Sequence, residues 1–429
     1  MRKLLLVVAL VGCGGDDNNR KIADAPAVPP DEHWDIDGQS GPQVTVKLIG
    51  TDGQPFAGAT AYFTGPDLTT TLATKLTDST GTAGAEMPNG GYVTLIVPTT
   101  ISSTQEIITW GDVKSNDKLV YDATVAPTST VTFTLPRAGN AAAYRIVSGC
   151  GTTDIPQPAA GIPFVATATF SCAGPVDLTV ESLSAAGGPV NAYFYVTGQA
   201  IVDQSQVNLS ANTYVTMARR SYSFTNNVLG TSINWIDQFS TATGAVFAQS
   251  GTSSAANPSG DASSIAVFPT GGQDLVEMSQ ANGTLGTRLV LNWAAAAPSP
   301  FTLDWGASIT ADFTTAPDFD VAGHAVNWAA TSTGQSVDFS ETELRVTRGT
   351  ASWLWLAFNA RSTQTLFPVL PDAGATFVPV MTDTVVPLRT AMIHVVGGYD
   401  GVRNNVANSF LLPTGATGTN AASLIIRRE

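Results

Sequence analysis

Residues 43–63 read QVTVKLIGTDGQPFAGATAYF, and the alternation at the start of this stretch decides the fold class. Val44, Val46 and Leu48 fall on one side of an extended chain and Thr45 and Lys47 on the other, the period-two pattern of a strand with one buried face. Asp52-Gly53 follows as a tight-hairpin signal, because the favoured two-residue turns require residues that tolerate positive φ. Ala59, Ala61 and Phe63 resume the alternation. It returns at Ala83, Ala85 and Met87, and again at Val93, Leu95 and Val97 behind the turn Pro88-Asn89-Gly90-Gly91.

The whole chain has the composition this stretch implies. Charged residues make up 13% of its 429 residues, against about 25% in an average soluble domain. It carries 40 Gly and 25 Pro among long runs of Thr, Ser, Ala and Val, the mixture of short strands joined by many turns. The length allows two to four domains of about 150 residues. With 20 Lys plus Arg against 34 Asp plus Glu, the net charge of −14 repels a phosphate backbone, which argues against a nucleic-acid partner.

The order strand, DGxPxxGA, strand, TDxxGxAxxxxPNGGY, strand resembles the carboxypeptidase regulatory-like module, a small transthyretin-like β-sandwich. Asp52, Gly53, Pro55, Gly58, Ala59, Thr77, Asp78, Gly81, Pro88, Asn89, Gly91 and Tyr92 carry the resemblance over about 55 residues. The module has no peptidase chemistry of its own, so the resemblance implies a fold and no catalytic residue. With residues 101–126 as an extension, the module is expected to span 43–126.

A new alternating strand begins at Val131, and residues 127–217 are expected to form an Ig-like sandwich. Cys150 and Cys172 each end a strand-like run there, and two cysteines in one exported domain most often pair. Metal binding by the pair is the weaker reading, because neither a CxxC nor a nearby histidine is present. Residues 218–429 continue as strands with closely spaced turn signals and read as one large or two smaller β-sandwiches. The expected fold is therefore all-β, a tandem of antiparallel Ig-like and transthyretin-like sandwiches.

Residues 1–12 read as a signal peptide: Met1, Arg2 and Lys3 are the positive start and Leu4 to Ala9 the apolar core, too short to span a bilayer. Leu10-Val11-Gly12-Cys13 resembles the lipobox of bacterial lipoproteins and matches that pattern at every position. The resemblance implies diacylglycerol on the Cys13 thiol and cleavage before it. Residues 13–42, with Gly14, Gly15, Asp16 and Asp17 followed by Pro26, Pro29 and Pro30, cannot bury enough surface to fold. They read as a disordered tether with a reach on the order of 30 Å. The expected location is the cell envelope, anchored by lipid; Gly14 after the cysteine favours the outer membrane.

The chain offers little to a search for chemistry. His33, His324 and His394 lie in separate segments, so a multi-histidine zinc site is not expected, and no GxSxG, HExxH, P-loop or CxxC pattern occurs. No cofactor, metal or catalytic residue is assigned. Asp318, Asp320 and His324 in APDFDVAGH are close enough for calcium or acid-base work but read better as turn residues. Trp353 and Trp355 in ASWLWLAF share one strand face and could stack on a sugar. Leu354, Leu356 and Phe358 make the opposite face equally apolar, and a strand apolar on both faces is usually buried on both. The expected role is noncatalytic binding, adhesion or scaffolding, with an envelope protein or a glycan as ligand; the alternative is a carbohydrate-active sandwich at 218–429.

Overall fold

A computed structural model describes residues 43–102, 104–156, 163–172, 174–227, 232–241, 244–253, 259–264, 273–281, 286–294, 301–404 and 418–428. It is all-β, with the strands arranged in sandwich layers, as the alternation predicts.

The first layers use β1 (Gln43–Ile49), β2 (Thr60–Thr64), β3 (Thr71–Leu76), β4 (Thr82–Glu86), β5 (Gly91–Val97), β6 (Gln105–Val113) and β7 (Lys118–Asp122). Strand β1 lies between β4, antiparallel, and β7, parallel. Opposite them run β3, β2, β5 and β6 in that order. Val44, Val46 and Leu48 are fully buried and meet Ala61, Phe63, Val93 and Leu95 across the layer. The Asp52-Gly53 expectation is half right. Gly53 takes φ 75°, but β1 never pairs with β2 as a hairpin. After one bridge between Ile49 and Pro55 the chain crosses to the other sheet; proline has no N–H with which to continue the ladder.

The second unit uses β8 (Ser129–Leu135), β9 (Ala143–Ser148), β10 (Gly151–Pro156), β11 (Phe164–Phe170), β12 (Gly174–Leu183), β13 (Val190–Ile201), β14 (Gln206–Asn208) and β15 (Val215–Thr216). Its sheets are ordered β10-β9-β12-β13-β15 and β11-β8-β14. Phe133, Tyr144, Phe164, Phe170 and Phe194 fill the space between them.

The remainder comprises β16 (Ala218–Thr225), β17 (Ile233–Thr241), β18 (Gly244–Ser253), β19 (Ser259–Ser264), β20 (Gln273–Ala281), β21 (Thr287–Ala294), β22 (Phe301–Asp304), β23 (Asp318–Asp320), β24 (Ala325–Asn327), β25 (Phe339–Arg348), β26 (Ala351–Asn359), β27 (Gln364–Leu366), β28 (Thr384–Val395) and β29 (Gly418–Arg428). Strands β18, β17, β20, β21, β29, β28, β25 and β26 are consecutive in one sheet. That sheet does not stop at β26. Residues Trp353–Phe358 pair in parallel with Gln105–Trp110 of β6, so the first unit and the C-terminal region share twelve strands.

Both faces of this sheet are covered near the seam. One carries Ile108, Trp110, Phe358, Ala391 and Ile393 in the same cluster as Val44 and Val46. The other carries Tyr62, Ile107, Leu344, Trp355 and Met392, roofed by Phe313, Val326, Trp328 and Phe367 from the layer β23-β24-β27 and its flanks. Farther along, β16 and β22 supply Tyr222 and Phe301, which pack against Trp235 of β17.

At Gly111 the seam is so close that an added Cβ would lie 2.8 Å from the Phe358 carbonyl oxygen and 2.9 Å from Tyr92 Cε1. Gly111→Ala should therefore cost about 1–3 kcal/mol through forced backbone displacement. Denaturant unfolding of the full chain measures this, and an unchanged midpoint would refute so close a seam.

Candidate functional site

Cys13 and the segments expected to be a signal and a tether, residues 1–42, lie outside the described residues. Cys150 and Cys172 form a disulfide, as the cysteine count predicts. Cys150 sits in the turn between β9 and β10 and Cys172 just after β11, so the bond joins the two sheets of its sandwich.

Trp353 and Trp355 do not make a sugar platform. Trp353 is 3% exposed and Trp355 fully buried. Trp355 meets Phe367 edge to face, and its Nε1 donates to Thr109 Oγ1 at 2.8 Å. The sequence already held the reason: with Leu354, Leu356 and Phe358 on the other side, this strand belongs in the middle of a doubly covered sheet. Asp318 and Asp320 are exposed on β23, and Asp320 Oδ1 accepts from Ala322 N at 3.0 Å, a local turn bond. His324 is part-buried in the same turn, with its pKa lowered chiefly by burial and opposed by Asp320. His394 lies elsewhere, with Nδ1 2.9 Å from Asp338 Oδ2.

Perturbed carboxyl groups are the usual marker of a reactive site. The strongest here are sealed inside. Glu181 on β12 has no exposed side-chain surface, and burial pushes its pKa up to about 8. Arg145 pulls the other way from 3.8 Å, but its Nε is engaged 2.7 Å from Asp154 Oδ1. The strand β18 runs against β9 and β12, and Phe239 of β17 packs with Ala143, Leu183, Val190 and Tyr193. This docking covers the outer face on which Glu181 lies. Glu341 on β25 is likewise buried, its pKa raised by burial against the opposing pull of Arg389, its ion-pair partner. Glu277 on β20 is raised to about 7 by burial. None of the three has the access to solvent that an acid-base catalyst requires.

Among the described residues, an accessible concavity lies at one end of the disulfide-linked sandwich, a mouth of about 680 Å³. The turn Pro136–Asn140 after β8 forms one wall; Ser182 of β12 with Asn191 and Ala192 of β13 forms another. Asn212, Thr213, Tyr214 and Thr216 close the third side. The rim is well held. Tyr144 Oη accepts from Ala138 N at 3.0 Å, and Asn212 donates to Leu209 O through both its backbone N and its Nδ2 at 3.0 Å. Tyr214 donates to Pro136 O at 3.3 Å and meets Phe194 edge to face at 5.0 Å. No carboxylate lines the mouth. The sequence could not reveal it, since its residues come from separated segments that meet only in the folded sandwich.

No protein-family model matches the chain, and no curated protein does. Among solved structures, the Bacillus anthracis TIE protein is similar at 11% identity and a TM-score of 0.15, over 61% of this chain and 49% of that one. The chain thus spans about half of that protein's length. The FN1–FN3 domains of chicken CNTN1 are similar at 9% identity and a TM-score of 0.10, over 72% of this chain and 89% of that one.

Two outcomes follow from the buried groups. Replacing both Cys150 and Cys172 by serine frees a loop whose ends are 22 residues apart, which should lower the stability of that sandwich by about 3 kcal/mol; equal unfolding midpoints with and without reductant would contradict it. For Glu181 the folded state keeps its proton up to about pH 8 while the unfolded chain loses it near its ordinary value of 4.5. Stability therefore falls as pH rises from about 4.5 to 8 and levels off above. Glu181→Gln should flatten that fall, and an unchanged pH dependence of the midpoint would show that Glu181 is not its source.

Proposed function

We propose that this chain is an exported lipoprotein, held in the bacterial cell envelope by lipid on Cys13, with the outer membrane favoured, and that it binds or scaffolds without catalysing. The observation that carries this reading is Leu10-Val11-Gly12-Cys13 directly behind a short basic and apolar leader. Each buried methylene contributes roughly 0.8 kcal/mol, so two or three acyl chains anchor a protein of this size stably. The Cys150–Cys172 bond supports the assignment, because disulfides persist in oxidising compartments. The noncatalytic part is supported by the burial of Glu181 and Glu341, which keeps the most perturbed carboxyls away from any substrate. A carbohydrate-active role for residues 218–429 loses its support with the burial of Trp353 and Trp355.

Metabolic labelling with an alkyne fatty acid tests the anchor. The native chain should take up the label and fractionate with envelope membranes, and Cys13→Ala should lose both properties. Undiminished labelling of Cys13→Ala would overturn the proposal.

A further inference from the structure

We infer that the mouth of the disulfide-linked sandwich binds a short segment of neutral, hydroxyl-rich glycan. The inference rests on the binding role proposed above but not on the lipid anchor. It also differs in place from the 218–429 alternative, since the site lies between residues 136 and 216.

The wall chemistry selects this class of ligand. Asn140 and Asn191 each present an amide, which offers donors and an acceptor together and so suits neighbouring sugar hydroxyls, while the Asn212 amide already donates to Leu209 O. Thr213 and Thr216 add hydroxyls of the same dual character. The side chains of Asn140, Asn191, Thr213 and Thr216 are exposed. Tyr214 contributes a ring held in place at its hydroxyl and against Phe194, so its orientation is set before a ligand arrives. The volume, about 680 Å³, lies within the usual range for small-ligand sites, roughly 300–1,000 Å³.

Other ligands fit the same walls poorly. A cationic ligand would need carboxylates, and none lines the mouth of a chain that carries 34 of them. A polyanion would need several cations; Arg137 is the one basic residue of the lining, and its guanidinium sits over the Phe164 ring at 5.8 Å. An extended peptide that adds to a sheet needs a free backbone edge. At Ala192 the strand β13 is already paired with β12 on one side and β15 on the other. An acyl chain would need continuous apolar walls, and here amides and hydroxyls interrupt them.

The test is calorimetric titration of the full chain, solubilised in detergent, with chitotetraose, maltotetraose and mannotetraose, and with tetragalacturonate as the charged comparison. At least one neutral tetrasaccharide should give a saturable isotherm at millimolar concentrations. Asn140→Ala and Asn191→Ala should each weaken it by about tenfold. Both side chains are exposed, so the unfolding midpoints of these variants should match that of the parent and separate lost binding from lost folding. Three results would overturn the inference: no saturation by any neutral tetrasaccharide, tighter binding of tetragalacturonate than of all three, or unchanged affinity in the double variant N140A/N191A. The anchor is read separately, because loss of fatty-acid labelling leaves these isotherms untouched, and absent isotherms leave the labelling untouched.

Discussion

The parallel pairing of β6 with β26 is the constraint on which the architecture depends. In a free-standing seven-stranded unit, β6 would be an edge with a row of unpaired backbone groups, a state that proteins avoid by covering or blunting it. Here Gln105–Trp110 finds partners in Trp353–Phe358 instead. Hydroxyl and indole groups bind the seam across three strands: Trp355 Nε1 to Thr109 Oγ1 at 2.8 Å, and Thr109 Oγ1 to Thr94 Oγ1 at 2.8 Å. Asp112 Oδ2 then accepts from Ala360 N at 2.8 Å just past the ladder. These contacts join residues up to 248 positions apart. Loop-closure entropy rises only slowly with length, so the separation is tolerable for stability.

With the seam in place, the sheet must be sheltered on both faces, and its side chains divide accordingly. Ile108, Trp110 and Phe358 meet the small sheet of the first unit, while Ile107, Trp355 and Leu344 meet the cover formed around Phe313, Val326 and Phe367. Several polar residues on the buried strands and their flanks find partners within the same layers. Ser340, Thr342 and Thr365 bond to one another at 2.9–3.0 Å, and Arg288 joins Asp312 at 2.9 Å and Gln280 at 3.2 Å, next to the bond from Trp305 Nε1 to Gln280 at 2.9 Å. Arg389 with Glu341 and Arg403 with Asp117 add two more largely buried pairs. Such pairs contribute little net stability, but removing one partner leaves a buried charge, so they disfavour any other alignment of the segments that carry them.

Which side of a strand is buried was legible in the sequence; which strand lies beside it was not. Val44, Val46 and Leu48 announce a buried face by alternation alone, and ASWLWLAF announces burial by being apolar on both sides. Alternation repeats every two residues in every strand, so it carries no label that could tell β6 to choose β26. The same limit explains Asp52-Gly53: the pair demands positive φ and receives it at Gly53, but whether the chain then pairs back or crosses over is decided by Pro55 and by the sheet waiting opposite. The cysteine pair was legible because only two cysteines fall in that unit. The mouth was not, because its amides converge only once β8, β12 and β13 are in place.

The mouth owes its definition to the way the rest of its sandwich is fixed. The disulfide ties the two sheets together beyond Ser148 and Phe170, the ends of β9 and β11 remote from Ala143 and Phe164. The sandwich is therefore clamped at one end and open at the other, between the turn after β8 and the start of β13. Beside the open end, Ala143, Leu183 and Val190 are held by Phe239 from β17 of the twelve-stranded sheet. Through that contact, and that of β18 with β9 and β12, the sandwich packs against the same sheet that the seam completes. Residues far apart in sequence thus decide its setting: β6 and β26 build the sheet, β17 and β18 dock the sandwich on it, and Asn140 and Asn191 are left exposed at the mouth.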